Sequence, residues 1–405
     1  MHIWLTAPFF VLLGALALGS VTFPKLWEKY SSVFIVFSGV ACLSAMSFFQ
    51  GVSPAFRALG HMMKEDYGPF ILVISILYVL VHSMDISINA SATPFRNMLF
   101  LALGMGASCV LGTTGASLLL FYPLMAFNAH RTYKTHTVIF FIICIGNVGG
   151  CLSTLGDPPL FVGFLKGLPF FWPTQHLFLP WLIVAVPVLF LYFLIDRYHA
   201  RREGVYASEP VTVTFHGIGA LLLIGMVTTS MIVLEEWTLD PEKGWIRLGV
   251  LCLFFGIALM RKKPKEWKIL QEVAIVFGGL FITMMPVLTL LQRGEIFTSL
   301  FKTLTTKGSA KAFFWTTGML SAFLDNTPTY LVFRHLANHQ LPLLIAVSVG
   351  AVFMGALTYI GNAPNFFIKA MAEKENIPMP SFFGYLGWTI LILFPSFLLL
   401  TWWLP

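Results

Sequence analysis

Long apolar runs separated by short polar connections repeat from one end of the chain to the other. A helix needs about 20 largely apolar residues to cross a bilayer, and the first half offers such runs at Ile3–Leu18, Ser32–Phe48, Pro69–Met84, Thr137–Thr154 and Phe178–Leu194. The second half offers them at Val213–Leu234, Trp245–Met260, Glu272–Leu291, Leu341–Tyr359 and Phe382–Trp402. The pattern predicts an all-α polytopic membrane protein with about 10 crossings, five in each half.

Two further apolar stretches, 97–127 and 310–336, lie between the third and fourth runs of each half and are interrupted midway by small or polar residues, glycine or proline. Each predicts a re-entrant hairpin, because non-helical backbone at membrane depth is tolerated only inside protein or beside a cavity. The interruptions match between halves. Gly112-Thr113-Thr114-Gly115 in the first hairpin falls 213 residues before Asp325-Asn326-Thr327-Pro328 in the second. In the run that follows, Gly150-Cys151-Leu152-Ser153-Thr154-Leu155-Gly156-Asp157 falls 205 residues before Gly355-Ala356-Leu357-Thr358-Tyr359-Ile360-Gly361-Asn362. Pro158-Pro159 follows in the first and Ala363-Pro364 in the second. Proline donates no amide bond and clashes with the preceding turn, so these helices, about 137–168 and about 341–370, are expected to unwind there. A unit with an odd number of crossings, placed twice, inverts its second copy. The expectation is two inverted-topology repeats, 1–195 and 213–405, joined by a cytoplasmic linker at 196–212.

Composition narrows the class. Of 405 residues 57% are hydrophobic and only 11% charged, against roughly 25% charged in a soluble domain. The bilayer is thus the solvent for most of the chain. The formal charge of +7 sits in short connections rather than along one helix face, which marks topology rather than nucleic-acid binding. Basic residues Arg197, Arg201 and Arg202 follow the fifth run, and Arg261, Lys262, Lys263, Lys265 and Lys268 follow the seventh. Glu235, Glu236, Asp240 and Glu242 lie between the sixth and seventh, so the basic connections are expected in the cytoplasm and both termini outside. Arg131 and Lys134 agree with that orientation, whereas the four basic residues from Arg293 to Lys311 oppose it. The first run lacks a basic n-region and reads as a retained helix. The five cysteines lie inside apolar runs without C-x-x-C spacing and read as small buried hydrophobes. Tryptophans such as Trp4, Trp245 and Trp402 fall near run ends, as interfacial anchors do.

Candidate chemistry gathers at the four breaks. Unwound backbone leaves carbonyls and amides that cost several kcal/mol each unless an ion, a substrate or protein partners them. Thr113, Thr114, Ser153, Thr154, Asn326, Thr327, Thr358 and Asn362 add hydroxyl and amide oxygens, and Gly156 and Gly361 let carbonyls approach, a set suited to sodium. Asp157 and Asp325 are the more telling residues, since an acid within the membrane is rare. Burial favours the protonated form of a carboxylate and a bound cation the ionised form, so such a group exchanges one for the other. The bland alternative is that each aspartate caps a half-helix by accepting from its amides. Asp85 beside His82, and Glu272, read as solvated end residues. Lys166, Arg334, His335 and Lys369 read as snorkelling, with Arg334 a conceivable partner of Asp325.

At these residues the chain resembles the ion transporter superfamily, and within it the sodium/proton antiporters of the NhaD type and the citrate transporters grouped with them. The resemblance rests on 146–159, 325–329 and 355–365 and runs in pattern over nearly the whole chain. It implies a scaffold plus a transport domain, a homodimer, elevator-like movement and placement in a bacterial inner membrane. It also implies that the hairpin tips and breaks hold sodium, roles that would fall on Thr113, Thr114, Asn326, Thr327, Ser153, Gly156, Thr358 and Gly361. The first tip departs from the Ser-Asn-Thr signature of carboxylate carriers, and Asp325 would repel a di- or tricarboxylate. The leading expectation is therefore a sodium/proton antiporter with sodium at Asp157, Asp325 and Asn326, no resident cofactor, and transported sodium and protons. Its alternative is cation-coupled symport of citrate or another organic acid. A channel fits the paired breaks less well. An intramembrane aspartyl protease lacks its sequence context at both acids, so no enzyme is expected.

Overall fold

In lipid every backbone polar group must find its partner within the chain, and the computed structural model is accordingly helical almost throughout. It describes residues 3–89, 91–204, 212–234, 244–261, 264, 267–293 and 309–405. The acidic group Glu235–Glu242, Lys262, Lys263, Lys265 and 294–308 lie outside the described residues.

The first half runs through α1 (Ala7–Thr22), α2 (Pro24–Gln50), α3 (Val52–Met62), α4 (Gly68–Val81), α5 (Pro94–Phe127), α6 (Thr135–Cys144), α7 (Pro158–Leu165) and α8 (Trp172–Glu203). The second half runs through α9 (Ile218–Val233), α10 (Gly244–Leu259), α11 (Lys268–Arg293), α12 (Ala310–Leu324), α13 (Asn326–Leu336), α14 (Leu341–Met354), α15 (Ala363–Lys374) and α16 (Phe382–Trp403). Helix α3 is short and strongly amphipathic, and one π turn, Met63–Tyr67, joins it to α4.

By length alone α5 has ample reach for a single crossing. It folds back instead. Gly112 sits at φ 74°, ψ 155°, outside helical space, and the two arms meet on either side of it. A Cβ added to Gly104 would touch Leu120. At the base, Asn97 and Asn128 exchange amide hydrogen bonds of 2.9 and 3.0 Å. The second fold-back turns at Asp325, with φ 72° and ψ 144°, between α12 and α13, and Phe313 packs edge-on against Phe333 across it. Both turns thus use the same unusual backbone conformation at positions 213 residues apart.

The two broken helices also share their geometry. After α6 and a 3-10 turn at Val148–Leu152 the chain is extended at Ser153 and again at Asp157 before α7 begins. After α14 and a 3-10 turn at Gly355–Leu357 it is extended at Thr358 and again at Asn362 before α15 begins. Glycines permit each crossing: a Cβ on Gly156 would clash with the carbonyl of Gly150, and one on Gly361 with that of Gly355.

Three boundaries differ from the sequence pattern. The expected linker from residue 196 is helical to Glu203, because Asp196, Arg131 and Glu203 bury one another's charges and so extend α8 past its apolar run. The expected sixth crossing from Val213 begins only at Ile218, since Thr212–His216 forms strand β2. The expected third crossing ends at Val81 rather than Met84, and Asp85–Asn89 forms strand β1, antiparallel to β2. That ribbon places the end of α4 and the start of α9 on one face of the bundle. Helices α1–α4 and α9–α11 pack mainly on each other, as do α5–α8 and α12–α16. An apolar seam that includes Phe70 against Phe161 separates the two groups.

Candidate functional site

The two fold-back tips and two helix breaks converge on Asp157. Its carboxylate is 1% exposed and is met by donors from three other elements. Thr113 Oγ1, at the first tip, donates to Oδ1 over 3.1 Å. Asn362 Nδ2, at the second break, donates to the same oxygen over 3.2 Å. Asn326 Nδ2, at the second tip, donates to Oδ2 over 2.7 Å. Among the described residues neither lysine nor arginine is a partner of Asp157. Asp157 stands at the N-terminus of α7 without making a side-chain cap, so the bland reading fails for this residue.

Asp325 is arranged differently. Its Oδ1 accepts from the backbone amide of Thr327 at 3.0 Å, which caps α13. Its neighbour Asn326 connects it directly to Asp157, and Thr327 Oγ1 donates to Asn326 Oδ1 over 3.2 Å. Asp325 is also held at positive φ, in backbone space almost reserved for glycine, at a strain of order 1–3 kcal/mol. Strain of that kind clusters where a side chain is needed for work.

The remaining predicted residues divide into those that build the breaks and those that leave them. Thr113 N donates to the carbonyl of Gly156, tying the first tip to the first break. Thr358 Oγ1 donates to the carbonyl of Ala322 and accepts from the amides of Ile360 and Gly361, tying the second tip to the second break. Ser153 Oγ accepts from the amide of Leu155 and shapes the first break. Thr114 lines the cavity beside Gly112 and Asp157. Thr154 points away, donating to the carbonyl of Phe170, and does not join the site. Arg334 donates to the carbonyl of Lys166 rather than to Asp325, Lys166 pairs with Asp66, Lys369 with Glu373, and Glu272 with Lys268. His82 bonds the carbonyl of Tyr78, and Asp85 is exposed on β1.

Two small cavities flank Asn362 and Ala363. One of about 70 Å³ reaches Thr113, Thr114 and Asp157. Another of about 190 Å³ reaches Asp325, Tyr359 and Trp27. A much larger cavity of about 730 Å³ opens beside the β ribbon, lined by His82, Asp85, Tyr122 and Lys374. Among the described residues no group of three or more His, Cys, Asp or Glu stands ready to hold a metal.

A family model described as "Putative citrate transport" matches residues 1–404. The chain belongs to this family. The match names the citrate transporters of the resemblance rather than the antiporters, and with the apolar helices it makes the chain an integral membrane transporter. Among curated proteins none matches. In this citrate-transport-family chain several buried polar residues escaped the sequence reading. Asn147 and Asn365, both 0% exposed, bridge the two breaks. Asp196, also fully buried, is bound by Arg131, His136 and Asn97 at the base of the first fold-back. An asparagine within an apolar run was the available signal for the first two. Asp196 gave none, because it falls where the run passes into a basic connection.

Proposed function

We propose that the chain is a secondary active transporter in which a small hard cation, sodium foremost, exchanges for protons at Asp157. What carries this reading is a buried carboxylate surrounded by neutral donors, with no basic partner among the described residues. A negative charge there has hydrogen-bond donors but no opposite charge beside it among the described residues, and takes either a proton or a cation. Room at the site supports the same choice. The cavity beside Asp157, about 70 Å³, suits a small cation better than a bulky tricarboxylate in this conformation. Asp325, one residue from Asn326, is the second acid of the mechanism.

The same reading makes the chain a carrier rather than an enzyme, working as a homodimer in a bacterial inner membrane with its basic connections inside. The helices that bear the breaks would move as one body against the others. The test is flux in proteoliposomes. An imposed sodium gradient should move protons in the opposite sense, and Asp157→Asn should abolish that movement. Sodium-driven proton flux that survives both Asp157→Asn and Asp325→Asn removes these acids from the mechanism.

A second reading is cation-coupled carriage of an organic carboxylate. The family description favours it, as does the cavity of about 730 Å³ with His82 and Lys374 in its wall. Counterflow of labelled citrate or succinate that requires a sodium or proton gradient would establish it, and no uptake across a panel of acids would remove it.

A further inference from the structure

Three asparagines form a chain of amides that ends on Asp157, and each has its orientation fixed by backbone. Asn365 Nδ2 donates to the carbonyls of Gly355 at 2.8 Å and Thr358 at 2.7 Å. A carbonyl only accepts, so the nitrogen must face these two and Oδ1 must face away. That Oδ1 accepts from Asn147 Nδ2 at 2.7 Å, and the same nitrogen donates to the carbonyl of Ile142 at 2.9 Å. Asn147 Oδ1 is therefore turned towards Asn362, whose Nδ2 donates to it at 3.1 Å and to the carbonyl of Gly146 at 3.2 Å. The same Asn362 nitrogen, its two hydrogens shared among three acceptors, also reaches Asp157 Oδ1 at 3.2 Å. All three residues are within 2% of complete burial, so turning any of them strands a buried carbonyl at a cost of about 1–3 kcal/mol. At Asp157 Oδ2 the situation is the opposite. Among the described residues Asn326 has no backbone carbonyl as a side-chain partner, and its amide meets Asp157 and the rotatable hydroxyl of Thr327. It is free to turn its amide and present Oδ1 instead.

From this asymmetry we infer that Asn147 and Asn365 are positioning residues. Their relay keeps the nitrogen of Asn362 turned to Asp157 Oδ1, and leaves Oδ2, at the tip of the second fold-back, as the face of the carboxylate that the transported cation takes. The inference deepens the cation-exchange reading and rests on it for the identity of the ligand. It also explains why the two breaks come from opposite halves of the chain: the relay starts on the carbonyls of one and ends on the acid of the other.

The experiment pairs transport with stability in the purified full-length protein. Asn147→Ala and Asn365→Ala should each raise the KM for sodium about tenfold, the effect of one hydrogen bond to a charged group, with maximal flux little changed. The double variant should be no worse than the more severe single, because both cut one relay. Asn97→Ala, equally buried but bonded to Asn128 and Asp196, should lower the melting temperature without moving KM. A KM unchanged in both relay variants, or effects that simply add, overturns the inference. If Asn147→Ala does not fold, Asn365→Ser supplies the same comparison. Should the wild type carry no sodium flux, the cation reading fails by itself. The relay is then judged on melting temperature: coupling between Asn365→Ala and Asn362→Ala supports it, and independent losses refute it.

Discussion

At the scale of single residues the site works by the direction of its hydrogen bonds rather than by opposite charge. The buried Asp157 is surrounded by donors from other elements, whereas the partly buried Asp325 caps its own helix. The strain at Asp325 gives a test of which role it serves. Asp325→Gly relieves the positive φ and loses the cap, whereas Asp325→Ala loses the cap and keeps the strain. Asp325→Gly is expected to be the more stable by about 1 kcal/mol, read in thermal or chemical unfolding. Both variants should impair transport, because the carboxylate is gone in each. An Asp325→Ala protein as stable as wild type would show that the strained turn makes no demand on the side chain. Residue identity was legible in sequence for Asp157, Asn326, Asn362 and Thr113, each of which stands beside a break. It was not legible for Asn147, Asn365 or Thr154, because which way a polar side chain turns is settled by carbonyls from elements distant in sequence.

At the scale of elements the breaks matter more than the helices. Glycine and proline punctuation placed both fold-backs and both unwound segments, and the structure puts turns at Gly112 and Asp325 and extended residues at Asp157 and Asn362. The reason they were visible is local: φ preferences and missing amide donors act within a few residues. Helix ends were less visible, because α8 is prolonged by Arg131 and Asp196 and the run before α9 is diverted into a strand by pairing with Asp85–Asn89. The tight crossing at the second break carries its own prediction. A Cβ at Gly361 would lie 2.6 Å from the carbonyl of Gly355 and 3.0 Å from that of Ala322. Backbone atoms cannot step aside, so Gly361→Ala should cost about 1–3 kcal/mol and stop transport. Gly14→Ala, where nothing lies within 4 Å, should be neutral in both assays. Equal transport by the two variants would mean that the crossing at the second break is not needed.

At the scale of the whole molecule two groups of helices meet along an apolar seam. Among the described residues the ion pair between them is Asp66–Lys166, at 2.6 Å. It sits on the side of the bundle opposite the β ribbon and fastens the end of α7 to the π turn before α4. If the groups move relative to each other, this pair must open in every cycle. Cysteines at Asp66→Cys and Lys166→Cys, cross-linked by an oxidant, should arrest transport, and reductant should restore it. Full flux in the cross-linked protein would mean that the groups do not move there. None of this long-range pairing can be read from a sequence alone, since α4, the first fold-back and α6 lie between the π turn and α7.

The account stands on one carboxylate that a cation and a proton occupy in turn. The direct measurement is titration calorimetry of sodium into the purified protein in buffers of different ionisation enthalpy, which counts protons released per ion bound. Asp157 predicts proton release on sodium binding in the wild type, and neither binding nor release in Asp157→Asn. Sodium binding with no proton released, or binding that persists in Asp157→Asn, would contradict it.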